Sequence, residues 1–116
     1  MNWKNIIFKL ILISCAISIL LVSCSNTADI EKTNKARAEI IIKALYEFKH
    51  DHNNFPFQLS ALVPAYLDKI PTTLGDKVFF YSTDSVDGFN LGFDVTSHLG
   101  CGYTDKYKEW ECSFGD

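Results

Sequence analysis

Cysteine thiols are the side chains of this sequence with the most specific chemistry. The 116 residues include four of them, Cys15, Cys24, Cys101 and Cys112. Cys15 lies inside an apolar stretch, and Cys24 lies at its end, where the chain turns polar. The other two lie in the C-terminal part and make one pair. A thiol can be acylated, oxidised to a disulfide or used as a metal ligand, and the compartment largely decides which.

The first 23 residues are typical of a secretory signal. Lys4 and Lys9 form a positive end, and Leu10 to Val22 form an apolar core of 13 residues. The stretch Leu21-Val22-Ser23-Cys24 resembles a bacterial lipobox, in which the cysteine is acylated and becomes the mature N-terminus. The resemblance implies lipid attachment at Cys24 and a position in the cell envelope, anchored to a membrane and facing the periplasm.

Two other fates stay open for this stretch. Ile6 to Val22 has 17 residues, near the minimum for a helix that crosses ~30 Å of hydrocarbon, and Lys9 interrupts it. An uncleaved membrane helix is therefore one alternative, and simple secretion is the other. In all three cases the rest of the chain faces an oxidising compartment. Ser25 after the cysteine favours the outer membrane over the inner one in a Gram-negative host, as the lipobox resemblance implies.

An oxidising compartment predicts a disulfide between Cys101 and Cys112. The bond would close a loop of about a dozen residues, worth about 3 kcal/mol in the loop-entropy model. A zinc site with His98 as a third ligand is the alternative. It lacks the close C-x-x-C pair that is typical of such sites. We therefore expect the disulfide.

Composition limits the size and the partners of the folded part. Processing at Cys24 would leave 93 residues, enough for one small domain. These residues carry nine Lys and Arg against 14 Asp and Glu, a formal charge of −5. A nucleic-acid partner is not expected, because neutralising phosphates requires a basic face.

Hydrophobic spacing predicts a long helix in the first half of this domain. From Asp29 to His50 the chain lacks Gly and Pro, and its apolar residues recur at three-, four- and seven-residue steps. Residues 24–28 are predicted to be a polar tether, and the first two turns around Asn34 to have little to bury. The stretch Asn53-Asn54-Phe55-Pro56 should end the helix. Leu59 to Leu67 then predicts a short second helical segment.

After the helical part, apolar and polar residues alternate along the chain with a period of two. Val78 to Tyr81 and Phe89 to Val95 are strand candidates on either side of a hairpin loop. A third strand is expected to include Trp110 to Cys112. Residues 29–116 are therefore predicted to be an α+β domain with a small antiparallel sheet of about three strands. Most of its phenylalanines are expected in the core: Phe48, Phe55, Phe57, Phe79, Phe80, Phe89 and Phe93.

The order of these elements resembles the globular part of type IV pilin-like proteins, especially the major pseudopilin of type II secretion. The similarity covers about Ala38 to Val95, and its motifs are structural. The family's peptidase site, G-[FM]-x-x-x-E before an apolar helix, is missing, so ordinary prepilin processing is not expected. The residues that carry the resemblance are Ala44-Leu45-Tyr46-Glu47-Phe48-Lys49, Asn53-Asn54-Phe55-Pro56, Leu59-Ser60-Ala61-Leu62-Val63-Pro64-Ala65-Tyr66-Leu67, Ile70-Pro71 and Asp87-Gly88-Phe89-Asn90-Leu91.

The resemblance implies a function in protein–protein contacts. The chain would be a non-catalytic, membrane-tethered lipoprotein with a pseudopilin-like head, an accessory of a type II secretion or pilus system. Its partner would be another protein of the envelope. A small ion- or ligand-binding lipoprotein and a degenerate pseudopilin with an uncleaved helix are the alternatives. Motifs such as G-x-S-x-G and H-E-x-x-H are missing, which favours a protein that is not an enzyme.

Two groups of residues have both a functional and a structural interpretation. Major pseudopilins bind calcium in loops of the C-terminal sheet, and Ser82, Thr83, Asp84 and Asp87 offer oxygen ligands here. Turn chemistry explains the same residues, so no cofactor is expected, with calcium as the alternative. The aromatic residues around the disulfide loop are expected to pack over it, or else to form a partner surface. They are Tyr103, Tyr107 and Trp110.

Overall fold

The fold is that of a computed structural model, which describes residues 2–84 and 87–115, with the side chains of residues 10–25 excepted. The predicted lipid attachment site Cys24 and the predicted apolar core Leu10 to Val22 lie outside the described side chains. The described side chains of residues 26–84 and 87–115 belong to the head of the protein and to the helix that leads to it.

One helix, α1, runs from Trp3 to His52. It includes the predicted helix and also residues 24–28, the stretch expected to be a tether. The helix ends as predicted, because Asn53 has a φ of 62° and donates its backbone N–H to the Lys49 carbonyl oxygen at 2.8 Å. Asn tolerates this left-handed conformation better than most residues do. A short 3₁₀ helix at Leu59–Leu62 is the predicted second helical segment.

Four antiparallel strands follow, each paired with the next in the chain. They are β1 (Phe80–Thr83), β2 (Phe89–Asp94), β3 (Leu99–Thr104) and β4 (Glu109–Phe114). The α+β class is confirmed, but the prediction of about three strands was wrong. Sequence reasoning missed β3, because its Gly100 and Gly102 are of a type depleted in strands. The strand predicted around Trp110 is the fourth.

The core lies between α1 and the inner face of the sheet. Along β2 the side chains alternate between buried and outward-facing, so every second residue packs against the helix. Two predicted core residues are exposed instead: Phe57 at 79% and Phe80 at 58%. The buried hydrophobic residues are Ala38, Ile41, Ile42, Ala44 and Leu45 of α1, Phe55, Leu62 and Phe79 of the connecting segment, and Phe89, Leu91, Phe93, Cys101 and Tyr103 of the sheet.

Polar contacts fix the segment between the helix and the sheet. Asn34 is fully buried, and its Oδ1 accepts the backbone N–H of Leu74 at 2.8 Å. One turn later, Arg37 donates from Nη1 to the Thr72 carbonyl oxygen at 2.8 Å. The expectation that the turns around Asn34 bury little was therefore wrong at this position.

Replacing Asn34 with Ala should destabilise the head. The change leaves the Leu74 N–H without its acceptor, which costs about 1–3 kcal/mol for a buried donor. The measurement is thermal unfolding followed by circular dichroism, and Asn26→Ala, at an exposed position of the same helix, is the matched control. Equal melting temperatures for the two variants would contradict the account of this contact.

Candidate functional site

The C-terminal hairpin of β3 and β4 contains the cysteine pair that the sequence singled out. Cys101 and Cys112 lie directly opposite each other on the two strands and are joined by a disulfide with an S–S distance of 2.05 Å. The expected pairing is therefore present. Cys101 is buried in the core, whereas Cys112 is exposed. The disulfide thus ties the edge strand β4 covalently to a strand that packs on α1.

Glu31 of α1 lies beside this disulfide. Its Oε1 is 3.6 Å from the Cys112 Sγ and 2.6 Å from the Lys35 Nζ. The sulfur carries no proton in a disulfide, so the first contact is not a hydrogen bond. The carboxylate oxygen and the two sulfurs lie within 4.8 Å of one another, but zinc requires thiolates and these sulfurs are bonded to each other. His98, the expected third zinc ligand, is not in this cluster.

Trp110 of β4 packs between the hairpin and the helix. Its ring centroid is 5.6 Å from those of Phe93 and Tyr103, and the Lys35 Nζ lies 5.8 Å from the ring. The indole Nε1 donates to Glu39 Oε1 at 3.1 Å. Packing at the hairpin, rather than a partner surface, is therefore the role of Trp110 and of the buried Tyr103.

The tip of this hairpin carries the third aromatic residue of the group. Tyr107 is 66% exposed in the turn between β3 and β4, and the Lys106 Nζ lies 5.3 Å from its ring centroid. The structure gives Tyr107 no packing role comparable to that of Trp110. A partner contact at Tyr107 therefore stays a prediction.

A polar cluster between α1 and β3 was missed by sequence reasoning. The Tyr46 hydroxyl donates to Asp105 Oδ1, and its oxygen lies 3.4 Å from the hydroxyl oxygen of Tyr103. Burial, followed by the hydrogen bond to Asp105, raises the pKa of Tyr46 above its ordinary value. Gly88 leaves room for this cluster, since a Cβ there would lie 3.3 Å from Asp105 Oδ2. No local signal connects Tyr46 to a residue 59 positions later.

The loop between β1 and β2 contains the residues named as candidate calcium ligands. Asp84 Oδ1 accepts the backbone N–H groups of Asp87 and Gly88, both at 2.9 Å. Thr83 Oγ1 donates to the Gly88 carbonyl oxygen at 2.8 Å. Residues 85 and 86 lie outside the described residues. Turn chemistry thus accounts for the Asp84 carboxylate, and calcium binding stays a prediction.

The two histidines near the end of α1, His50 and His52, are exposed. The His52 ring stacks on Phe48 with centroids 4.1 Å apart, and His50 Nδ1 lies 3.3 Å from Asp51 Oδ1. The Tyr66 hydroxyl donates to Asp51 Oδ2 at 2.7 Å. This hydrogen bond, followed by that from His50, lowers the pKa of the Asp51 carboxyl. These contacts hold the Tyr66 segment against the last turn of α1.

Among the described residues, none covers the outer face of the sheet, whose side chains are exposed or half-buried. A shallow groove of about 580 Å³ crosses it. Its floor includes Gly92 of β2 and Gly102 of β3, which are paired with each other. Phe80 of β1 is paired with Gly92 and lies on one side of the floor, and Glu111 of β4 is paired with Gly102 and lies on the other.

The function expected of the N-terminal part is inferred from sequence patterns alone. Within the described part of the chain, no helix is both long and apolar enough to cross a membrane. Cys24 and most of Ile6 to Val22 have no described side chains, so acylation and membrane insertion both stay predictions. No family model, curated protein or solved structure matches the chain. The pilin-like resemblance therefore rests on the sequence motifs.

Removing the disulfide should destabilise the head by about 3 kcal/mol, as the loop-entropy model gives for a loop of this size. The test compares urea unfolding of the wild type with that of the double variant Cys101→Ser, Cys112→Ser. A reductant should lower the midpoint of the wild type to that of the variant and leave the variant unchanged. A wild-type midpoint that is insensitive to reductant would show that the bond does not stabilise the head.

The half-buried Tyr81 should make the head less stable at high pH. Burial raises the pKa of Tyr81 to about 12, while an unfolded tyrosine ionises near 10. The folded state therefore keeps a proton that the unfolded state loses. The resulting stabilisation is complete below the unfolded pKa and is lost as the pH rises through the folded one.

The predicted result is a melting temperature that falls between about pH 10 and 12, with a smaller fall in Tyr81→Phe. Tyr107→Phe is the matched control, because Tyr107 is exposed, and it should behave as the wild type does. Identical pH profiles for Tyr81→Phe and the wild type would refute the assignment.

Proposed function

We propose that this chain is a non-catalytic, membrane-tethered envelope lipoprotein whose pseudopilin-like head binds another protein, as an accessory of a secretion or pilus system. The observation that supports it most is the course of α1. This helix carries the packing surface of the head in its C-terminal half, and the same helix contains the predicted signal and lipobox in its N-terminal half. The head is thereby joined directly to the segment proposed to hold it at a membrane.

Acylation at Cys24 is the proposed tether. A cysteine that carries several acyl chains is held far more strongly than one with a single chain, whose membrane binding is marginal. One observation favours a second candidate, the degenerate pseudopilin with an uncleaved helix. Residues 24–28 are helical rather than extended, so α1 continues without a break across the proposed cleavage site.

The outer face of the sheet is the proposed contact surface. The outward-facing residues of the four strands include Asp94, Glu109 and Glu111, and none of them is Lys, Arg or His. A partner segment with positive charge would therefore match it. Binding of the partner to this face is the proposed function, and it involves no chemical step on the head.

Gly102 is the residue that argues most directly for close approach of a partner. Glycine weakens a strand interior, and it often marks a bulge or a place where another chain comes close. The pairing of β3 with both neighbours is regular at Gly102, which excludes a bulge. A Cβ at this position would meet no heavy atom within 4 Å, so the head itself does not require glycine here.

Site-specific photo-crosslinking tests this contact surface. A photoreactive phenylalanine analogue at Phe80, beside the groove, should give a defined adduct in intact cells. The second change Gly102→Thr fills the groove, and the open space around Gly102 predicts an unchanged or higher melting temperature. Loss of the adduct in this folded variant is the expected result.

The analogue at Phe57, which is exposed and lies outside the four strands, is the matched control and should not give the same adduct. An adduct at Phe80 that persists in Gly102→Thr would contradict the outer face as the contact surface. If neither position gives an adduct in cells that contain the folded protein, the proposal of a protein-binding head fails.

A further inference from the structure

The course of β4 along α1 shows which end of the head lies nearest to the N-terminal segment. Trp110 contacts Glu39, and Cys112, two residues later, contacts Glu31. The strand thus runs toward the N-terminus of the helix. Phe114 is two residues farther, about 7 Å along the strand, which equals four or five residues of helix rise. Its backbone therefore lies at about the level of residues 26 and 27 of α1.

This level is close to both proposed tethers. Residue 26 is about 3 Å along the helix axis from Cys24, and about 6 Å from Val22, where an uncleaved span would end. The headgroup layer on each side of a bilayer is about 5–7 Å thick. With α1 along the bilayer normal, either tether would place Phe114 at headgroup depth. Leu74, whose backbone N–H is hydrogen-bonded to Asn34, is about 15 Å from Cys24 along the axis and would then lie beyond that layer.

Phe114 and the turn between β2 and β3 form one edge of the head. Phe114 is paired with Leu99, and the backbone N–H of Gly115 donates to the His98 carbonyl oxygen at 2.7 Å. The Phe114 side chain is 78% exposed, so α1 does not cover it as it covers Trp110. The proximal edge, defined by Phe114, Gly115 and Thr96 to His98, therefore presents an aromatic ring to whatever lies beside the tether.

We propose that the proximal edge docks on the lipid bilayer, with the Phe114 ring in the headgroup layer. This inference rests on the proposed membrane tether. Among the described residues, the exposed charged groups of α1 nearest this level, Asp29 and Lys32, have opposite signs, so the contact depends on the apolar ring and not on anionic lipid. The tether holds the edge beside the surface, which makes even a weak contact effectively intramolecular.

Tryptophan quenching in vesicles tests the docking with a matched pair of positions. Phe114→Trp and Phe57→Trp replace rings of equal exposure, 78% and 79%, at opposite ends of the head. Each full-length variant, purified from membranes, is reconstituted in plain phosphatidylcholine vesicles and in vesicles of brominated phosphatidylcholine. Wild-type emission, which comes from its native tryptophans, is subtracted, and flotation reports membrane attachment. Vesicles with added phosphatidylglycerol repeat the comparison.

The expected result is that the added emission of Phe114→Trp is lost in brominated vesicles, while that of Phe57→Trp is equal in both kinds, with or without anionic lipid. If the variants float with the vesicles and Phe114→Trp is not quenched, the docking is wrong while the tether stands. Quenching of both variants also overturns it, because the head would then lie without a preferred edge. Variants that do not float would overturn the tether, and the docking with it.

Discussion

The apolar face of α1 between Ala38 and Leu45 is the surface on which the whole head is built. The sheet buries one face only, and that face packs on this part of the helix and on the segment that follows it. Burying an aliphatic or aromatic side chain yields about 1.5–3 kcal/mol. A core of this size is modest for a small domain, so covalent and polar contacts at its margins matter more than they would in a larger one.

The covalent and polar contacts at the margins of the core hold the helix from two sides. On one side Glu31, Glu39 and Tyr46 meet the β3–β4 hairpin at Cys112, Trp110 and Asp105 in turn. On the other side Asn34 and Arg37 hold the segment around Thr72 to Leu74. The disulfide joins the outermost strand to this arrangement. The head is therefore fixed in position and orientation along α1, and the two ends of the head differ in their distance from the N-terminal segment. Both the proposed contact surface and the proposed docking edge depend on this fixed orientation.

Local patterns predicted the elements whose causes are local. The alternation along β2, the helix stop at Asn53 and the pairing of the two C-terminal cysteines follow from spacing and residue type. Strand β3 was missed because its glycines oppose strand formation, and the strand exists through pairing with neighbours on both sides. The exposure of Phe57 and Phe80 depends on which side of the chain the helix covers. The cluster of Tyr46 with Asp105 joins distant positions, and only the folded chain brings them together.

The central claim is that the first part of the chain keeps the head at a membrane. Intact mass of the protein extracted from membranes tests it most directly, alongside Cys24→Ser. The account predicts a wild-type chain that begins at Cys24 and carries acyl mass, and a Cys24→Ser chain without that mass. A full-length, unmodified wild-type chain in the membrane would retain the tether in the form of an uncleaved helix. An unmodified chain that lacks the apolar segment and is recovered from the soluble fraction would contradict the account.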